Sequence, residues 1–188
     1  MPKYPVVQVT RPGGHGSGAF IAPDLVLTAG HVVRRRGDPP FPTTSLRIVI
    51  AGGPTLLVRA QLCLDAWNDR GDLTADMAVL RVTSPQPALA IKFGLDQAPK
   101  RQRVEVMGFL EGIRPGTISR AADPGGGTDV VRSSDMMFHD GVSGAPIFDA
   151  SGTTIGIVTA TPDSPTPDAF IGLPLLTETL SLLINRIP

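Results

Sequence analysis

Thr28-Ala29-Gly30-His31 sets a histidine directly behind the apolar run Leu25-Val26-Leu27. Two further stretches belong with it. Asp76-Met77-Ala78-Val79-Leu80 puts an aspartate at the head of a second apolar run, and Gly141-Val142-Ser143-Gly144-Ala145-Pro146 holds a serine among small residues. Hydrolysis through a serine needs these three groups: a nucleophile, a base that deprotonates it, and a carboxylate that orients the base and balances its charge. The chain order histidine, aspartate, serine is one of several that unrelated folds use, so it narrows the fold as well as the chemistry. A histidine after a strand, or a G-x-S-G tetrapeptide, means little alone. All three in this order, each at a strand boundary, point to that chemistry together.

The surroundings of these stretches read as short strands. Alternating or β-branched runs at 6–10, 17–22, 25–28, 45–50, 55–64 and 77–82 are predicted strands in the first half, followed by 103–109, 116–121, 128–133, 145–149, 154–161 and 169–173 in the second. Turn formers separate them, among them Ala22-Pro23-Asp24, Gly52-Gly53-Pro54, Asp123-Pro124-Gly125-Gly126-Gly127 and Ala150-Ser151-Gly152. Short strands so spaced make an all-β sandwich or barrel, not a parallel α/β sheet. The proline-bearing stretch 83–100 reads as a connector between halves, and the Gly-rich segment around His15 reads as a loop. From Pro174 onward, apolar residues at 176, 180, 183, 184 and 187 follow a helical period. Pro174 suits the first turn and Thr177 an N-cap. This helix is expected on the outside of the second half.

Composition excludes several classes. At 188 residues the chain can bury a core without staples. Lys plus Arg and Asp plus Glu number 17 each, so no global field favours nucleic acid or an anionic membrane, and neither is an expected partner. Arg34-Arg35-Arg36 reads as a surface cluster. Cys63 is the single cysteine, so an intramolecular disulfide is ruled out; Leu62 and Leu64 beside it suggest a buried structural thiol. The start Met1-Pro2-Lys3-Tyr4-Pro5 lacks a signal-peptide core, and together with the lone cysteine it leads to a cytoplasmic expectation. There is no apolar run of about 18 residues to span a membrane. Neither zinc-type Cys/His spacing nor a phosphate-cradling glycine loop occurs, so no metal or cofactor is expected.

On these residues the chain resembles the trypsin-like, chymotrypsin-fold serine peptidases, and the bacterial HtrA/Deg-type peptidase domains more than the disulfide-bonded digestive enzymes. The matching text includes Gly16-Ser17-Gly18-Ala19-Phe20-Ile21-Ala22, the runs through His31 and Asp76, and the hexapeptide around Ser143. Gly156-Ile157-Val158-Thr159 and Phe170-Ile171-Gly172-Leu173-Pro174 extend it over nearly the whole chain. The resemblance implies an all-β fold: two six-stranded antiparallel β-barrels with the active site in the cleft between them, and a C-terminal α-helix. On this chain that becomes a single peptidase domain, 1–188, with an N-terminal barrel at 5–82, the connector at 83–100, a C-terminal barrel at 101–173 and the helix at 174–187.

Roles follow from the resemblance. His31 would be general base and then general acid, Asp76 would accept the imidazole N–H and fix its tautomer, and Ser143 would attack the carbonyl. Asp65, Asp69 and Asp72 lie in polar, loop-like text, whereas Asp76 opens an apolar strand, where a buried orienting carboxylate belongs. The N–H groups of Gly141 and Ser143 would form the oxyanion hole, and glycine at 141 lets that N–H turn inward at positive φ. The pocket for the substrate's P1 side chain would run along Met137, Phe138 and His139, then Val158, Thr159, Ala160 and Thr161, then Asp168. Met137 stands where trypsin-type enzymes carry an acid, which argues for a small or medium apolar P1 side chain. Asp168 is either an acid supplied to that pocket or a loop aspartate beside Pro167. Residues 159–161 would pair with an extended substrate by strand addition, while the Thr159 hydroxyl either bonds Asp76 or merely favours the strand. His139 is a candidate for pH modulation of the oxyanion loop.

Val142 departs from the family pattern. Zymogen-activated trypsins carry an aspartate there, which pairs with a freed N-terminal amine, so this oxyanion loop must be ordered by packing, by substrate or by a partner. Gly30 and Ala145 are small swaps for a commoner alanine and glycine. The expected function is a serine endopeptidase acting through an acyl-enzyme on protein or peptide substrates, with low basal activity raised by a regulatory domain or partner protein. The competing expectation is a proteolytically silent binding domain with a collapsed oxyanion loop. An α/β-hydrolase fails locally, since its G-x-S-x-G elbow needs glycine where Ala145 stands.

Overall fold

Apolar residues fill both parities of the strands around His31, as in Ala19-Phe20-Ile21 and Leu25-Val26-Leu27. Successive side chains of a strand face opposite ways, so such a run must be buried on both faces. The structure, a computed structural model, describes residues 5–35, 38–64, 76–95, 101–121, 130–133, 136, 138, 140–160, 170–175 and 177–188. Twelve strands lie among the described residues. β1 (Val6–Arg11), β2 (Gly14–Ala22), β3 (Leu25–Ala29), β4 (Arg47–Ile50), β5 (Thr55–Cys63) and β6 (Met77–Val82) close an antiparallel barrel in the order β1-β2-β3-β6-β5-β4. The second set is β7 (Gln102–Gly108), β8 (Gly112–Ala121), β9 (Val130–Ser133), β10 (Pro146–Phe148), β11 (Thr154–Ala160) and β12 (Phe170–Pro174). It closes as β10-β11-β12-β9-β8-β7, with β10 paired back to β7. Two six-stranded barrels are therefore present, as the resemblance implied.

The two parities go to different cores. Phe20, Val26, Ala78 and Leu80 point into the first barrel with Val7, Val9 and Ile48. Ala19, Ile21, Leu25, Leu27, Met77 and Val79 point outward, yet meet Phe148 and Ile157 of the second barrel in a shared apolar layer. Val104, Val106, Ile118, Ile147 and Val158 fill the second barrel. The described part of the connector is pinned to both barrels: Ile91 N–H donates to the Phe20 carbonyl at 2.8 Å, and Phe93 bridges to Thr154.

Two local expectations need correction, and one element was unexpected. The C-terminal helix, which follows the four-residue helix α1 (Gly30–Val33) and is numbered α2 (Thr177–Arg186), lies against β5 and β6 of the first barrel, not on the outside of the second. Its buried Leu180 and Leu183, with Ile187 beyond, complete the apolar layer that Ala60, Met77 and Val79 leave open, and periodicity cannot reveal which surface a stripe will cover. The segment around His15 is strand, because Pro12-Gly13 makes the β1–β2 turn and Thr10 pairs with His15. The helix α1 was not foreseen, since Gly-His-Val-Val has little helical propensity. Among the described residues no helix is long and apolar enough to cross a membrane.

Asp149 organises the β10–β11 turn. Its Oδ1 accepts the Ser151 N–H at 2.9 Å, the Ser151 hydroxyl at 2.6 Å and the Thr153 N–H at 2.9 Å. Partial burial works against ionisation, but the hydrogen bonds from Ser151, Thr153 and Gly152 outweigh it and hold the carboxyl below its ordinary range. The folded carboxyl thus binds a proton less readily than the unfolded one. Its stabilisation is complete above about pH 4 and is lost as pH falls through the lower, folded value. An Asp149→Asn chain keeps the acceptor but loses that dependence. Its melting temperature is expected to fall less steeply than that of the parent when both are measured below about pH 4.

Candidate functional site

Strand register brings the histidine and the aspartate together. β3 and β6 pair antiparallel with Ala29 opposite Met77, so the next residues outward, Gly30 and Asp76, also face each other. Gly30 N–H donates to the Asp76 carbonyl at 3.0 Å. The chain then turns into α1, and the Asp76 carboxylate receives both N–H groups of the histidine: the His31 backbone on Oδ1 at 2.8 Å and ring Nδ1 on Oδ2 at 2.7 Å. The carboxylate is wholly buried, while the imidazole is 30% exposed. A buried ion that accepts two aligned donors is held in one orientation, and so is the ring it holds. With Nδ1–H committed to Asp76, Nε2 is left as the acceptor.

Gly30 is more than a small swap. A Cβ there would meet Asp76 Oδ1 at 2.8 Å and Cys63 Sγ at 3.1 Å. The half-buried Cys63 thiol, 3.8 Å from the Gly30 carbonyl, occupies the space that a side chain at position 30 would need. Gly30→Ala is therefore expected to lower kcat about tenfold by displacing the carboxylate. Cys63→Ala in the same chain should restore part of the loss, as steady-state kinetics of both variants would show.

The serine loop is held from the other barrel. Ser17 N–H of β2 donates to the Ser143 carbonyl at 2.7 Å, and the Ser17 hydroxyl donates to the Gly141 carbonyl at 2.8 Å. Gly144 N–H donates to the Val158 carbonyl at 2.7 Å and Ala145 N–H to the Val142 carbonyl at 2.8 Å. Gly141 has φ +96°, a conformation that L side chains rarely adopt. Among the described residues no protein acceptor takes the Gly141 or Ser143 N–H. No hydrogen bond joins the Ser143 hydroxyl to the His31 ring among these residues. His31, Gly141 and Ser143 share a cavity of about 430 Å³ with Arg11, His15 and Asp140.

The residues expected to recognise substrate are described in part. Met137, His139, Thr161 and Asp168 lie outside the described residues. Phe138 is half-buried and packs on the core of the second barrel. Val158 and Thr159 are buried. Both backbone groups of Val158 are engaged by the serine loop, its N–H donating to the Ala145 carbonyl at 2.9 Å and its carbonyl accepting from Gly144. β11 bulges between Val158 and Ala160, and Ala160 then pairs with Ile171. Two contributors had no role assigned to them from the sequence. His15 and Ser17, two apart on β2, both reach the serine loop. A Cβ on Gly141 would lie 2.6 Å from His15 Nε2. The available signal was the small-residue spacing Gly16-Ser17-Gly18, since a Cβ on Gly16 would meet the Ser143 carbonyl at 2.8 Å.

Residues 16–157 match the model of the trypsin-like peptidase domain family. The chain is 27% identical over 197 aligned positions to protease Do-like 1, chloroplastic, of Arabidopsis thaliana, covering 94% of this chain but 40% of that protein. It thus spans about two fifths of that relative's length. Among solved structures, the inactive form of the Rv3671c protease of M. tuberculosis superposes with a TM-score of 0.67 at 21% identity, over 96% of this chain and 87% of that one. The scabies mite inactivated protease paralogue S-I1 superposes with a TM-score of 0.75 at 16% identity, over 96% and 95%. At such identities these two likenesses show the fold alone.

Proposed function

The chain belongs to the trypsin-like peptidase domain family, and on that premise we propose that it is a serine endopeptidase that cleaves peptide bonds through an acyl-enzyme. The observation that carries this reading is the His31–Asp76 pair, 2.7 Å apart, opening onto the same cavity as Ser143. In this mechanism His31 Nε2 takes the Ser143 proton as Oγ attacks the carbonyl carbon, and the resulting imidazolium is balanced by the Asp76 carboxylate. The oxyanion is received by the Gly141 and Ser143 N–H groups. His31 then protonates the leaving amine, and water, deprotonated by the same ring, releases the acid and regenerates Ser143. A small or medium apolar P1 side chain belongs to the proposal, as do low basal activity under a regulator and a cytoplasmic setting.

An active-site-directed fluorophosphonate tests the reading. It should label the parent chain and spare Ser143→Ala, and a panel of peptide substrates should show alanine, valine or leucine at P1 preferred over arginine. Absence of label under every condition, candidate partners included, would sink the proposal. One observation favours a second reading, a proteolytically silent binding domain: the Ser143 hydroxyl does not bond His31 among the described residues. Catalytic hydrogen bonds in ligand-free sites often tighten only when substrate arrives, so this weighs less than the preserved pair.

A further inference from the structure

Val142 cannot make the ion pair that orders the oxyanion loop of zymogen-activated trypsins, so something else must hold Gly141. Val142 itself is buried in the core of the second barrel, which anchors one point of the loop. Two restraints from across the molecule converge on Ser17, a fully buried serine of the opposite barrel. Its hydroxyl accepts the Phe109 N–H at 3.0 Å, which leaves its proton for the Gly141 carbonyl at 2.8 Å. Its own N–H holds the Ser143 carbonyl at 2.7 Å, and its carbonyl is held by the Thr28 hydroxyl at 2.7 Å. One residue therefore grips the carbonyls on either side of Val142, and its own position is fixed from both barrels.

The geometry points to Ser17 as a positioning residue that presets the oxyanion loop by hydrogen bonds where an activation ion pair is missing. This rests on the endopeptidase reading. Holding the Gly141 carbonyl fixes the peptide that joins Gly141 to Val142, and with it the Gly141 Cα, so the Gly141 N–H turns only about that residue's own φ and ψ, and the His15 ring crowds Gly141 on one side. The Ser143 N–H lies in the peptide whose carbonyl Ala145 holds at 2.8 Å, so Ser17 chiefly governs the Gly141 donor. Removing the hydroxyl would leave the Gly141 carbonyl and the Phe109 N–H without this partner, and a turn of the loop would relieve the carbonyl.

The test is Ser17→Ala, normalised to active sites by fluorophosphonate titration. Misplacing one of two oxyanion donors predicts a fall in kcat of about 10–100-fold with KM changed less than about threefold. The affinity of a peptide aldehyde, whose adduct carries an oxyanion-like oxygen, should fall in step with kcat/KM, while a product peptide binds as before. Ser17→Cys, a weaker donor of similar size, keeps the test open if the alanine chain does not fold; its kcat should drop severalfold. Parent-like kcat in either variant, or loss confined to melting temperature, would overturn the proposal. If the parent turns over no peptide, the endopeptidase reading fails separately. A crystal structure of the variant then decides: an unmoved Gly141 carbonyl overturns the role of Ser17, and a displaced one supports it.

Discussion

Ser143→Ala is expected to lower kcat about a million-fold, with KM close to the parent value and no labelling by fluorophosphonate. The alanine removes the only atom that can form the acyl bond, whereas the loop around it is held by main-chain groups that the substitution leaves alone. Ser17 N–H still meets the carbonyl of residue 143, and Ala145 N–H still meets the Val142 carbonyl. The fold and the substrate contacts therefore persist, and the loss appears in kcat. Single-turnover assays with an activated peptide ester would check it. Retention of more than about one thousandth of the parent rate would show that another group carries the chemistry.

Asp76→Asn should cost about ten-thousand-fold in kcat at neutral pH, again with little change in KM. The carboxylate now accepts two N–H groups of the same residue, the His31 backbone at 2.8 Å and Nδ1 at 2.7 Å. An amide offers one acceptor and one donor, so it can satisfy only one of them. If its NH2 faces the ring, Nδ1 must become the acceptor, Nε2 carries the proton, and the Ser143 proton has nowhere to go. If instead the amide oxygen faces the ring, a buried donor meets the backbone N–H head on. Either arrangement removes the base, the charge balance or both. Parallel measurement of labelling rate and kcat checks the claim, because both require the same proton transfer. A loss below about tenfold would remove Asp76 from the mechanism proposed.

Much of this was legible in the residues, for a definite reason. His31 and Asp76 each lie just beyond the end of an apolar strand and Ser143 lies in the turn before one, and an apolar strand leaves few places for such a group. The double parity of Ala19-Phe20-Ile21 and Leu25-Val26-Leu27 was equally visible, although it could be explained only when a second barrel covered the outer face. Other features had no local trace. The side chains of α2 follow a helical period that suits either barrel, and the choice of β5 and β6 depends on which outer surface stayed uncovered. One glycine of the text around His15, Gly16, serves close approach of the serine loop, as the Ser143 carbonyl 2.8 Å from its would-be Cβ shows. Composition cannot separate that use of glycine from a loop.

Residue types and their order in the chain were enough to indicate an all-β fold of short strands and the three groups proposed for its chemistry, since strand patterning and the needs of acyl transfer are local requirements; the two barrels entered only as what the family resemblance implied. How Gly141 is held was decided by tertiary structure alone. The Ser17 hydroxyl and the Gly141 carbonyl are 124 positions apart. Their contact exists only because two separately closed sheets share one apolar layer, and a buried carbonyl there takes whichever donor the opposing sheet presents.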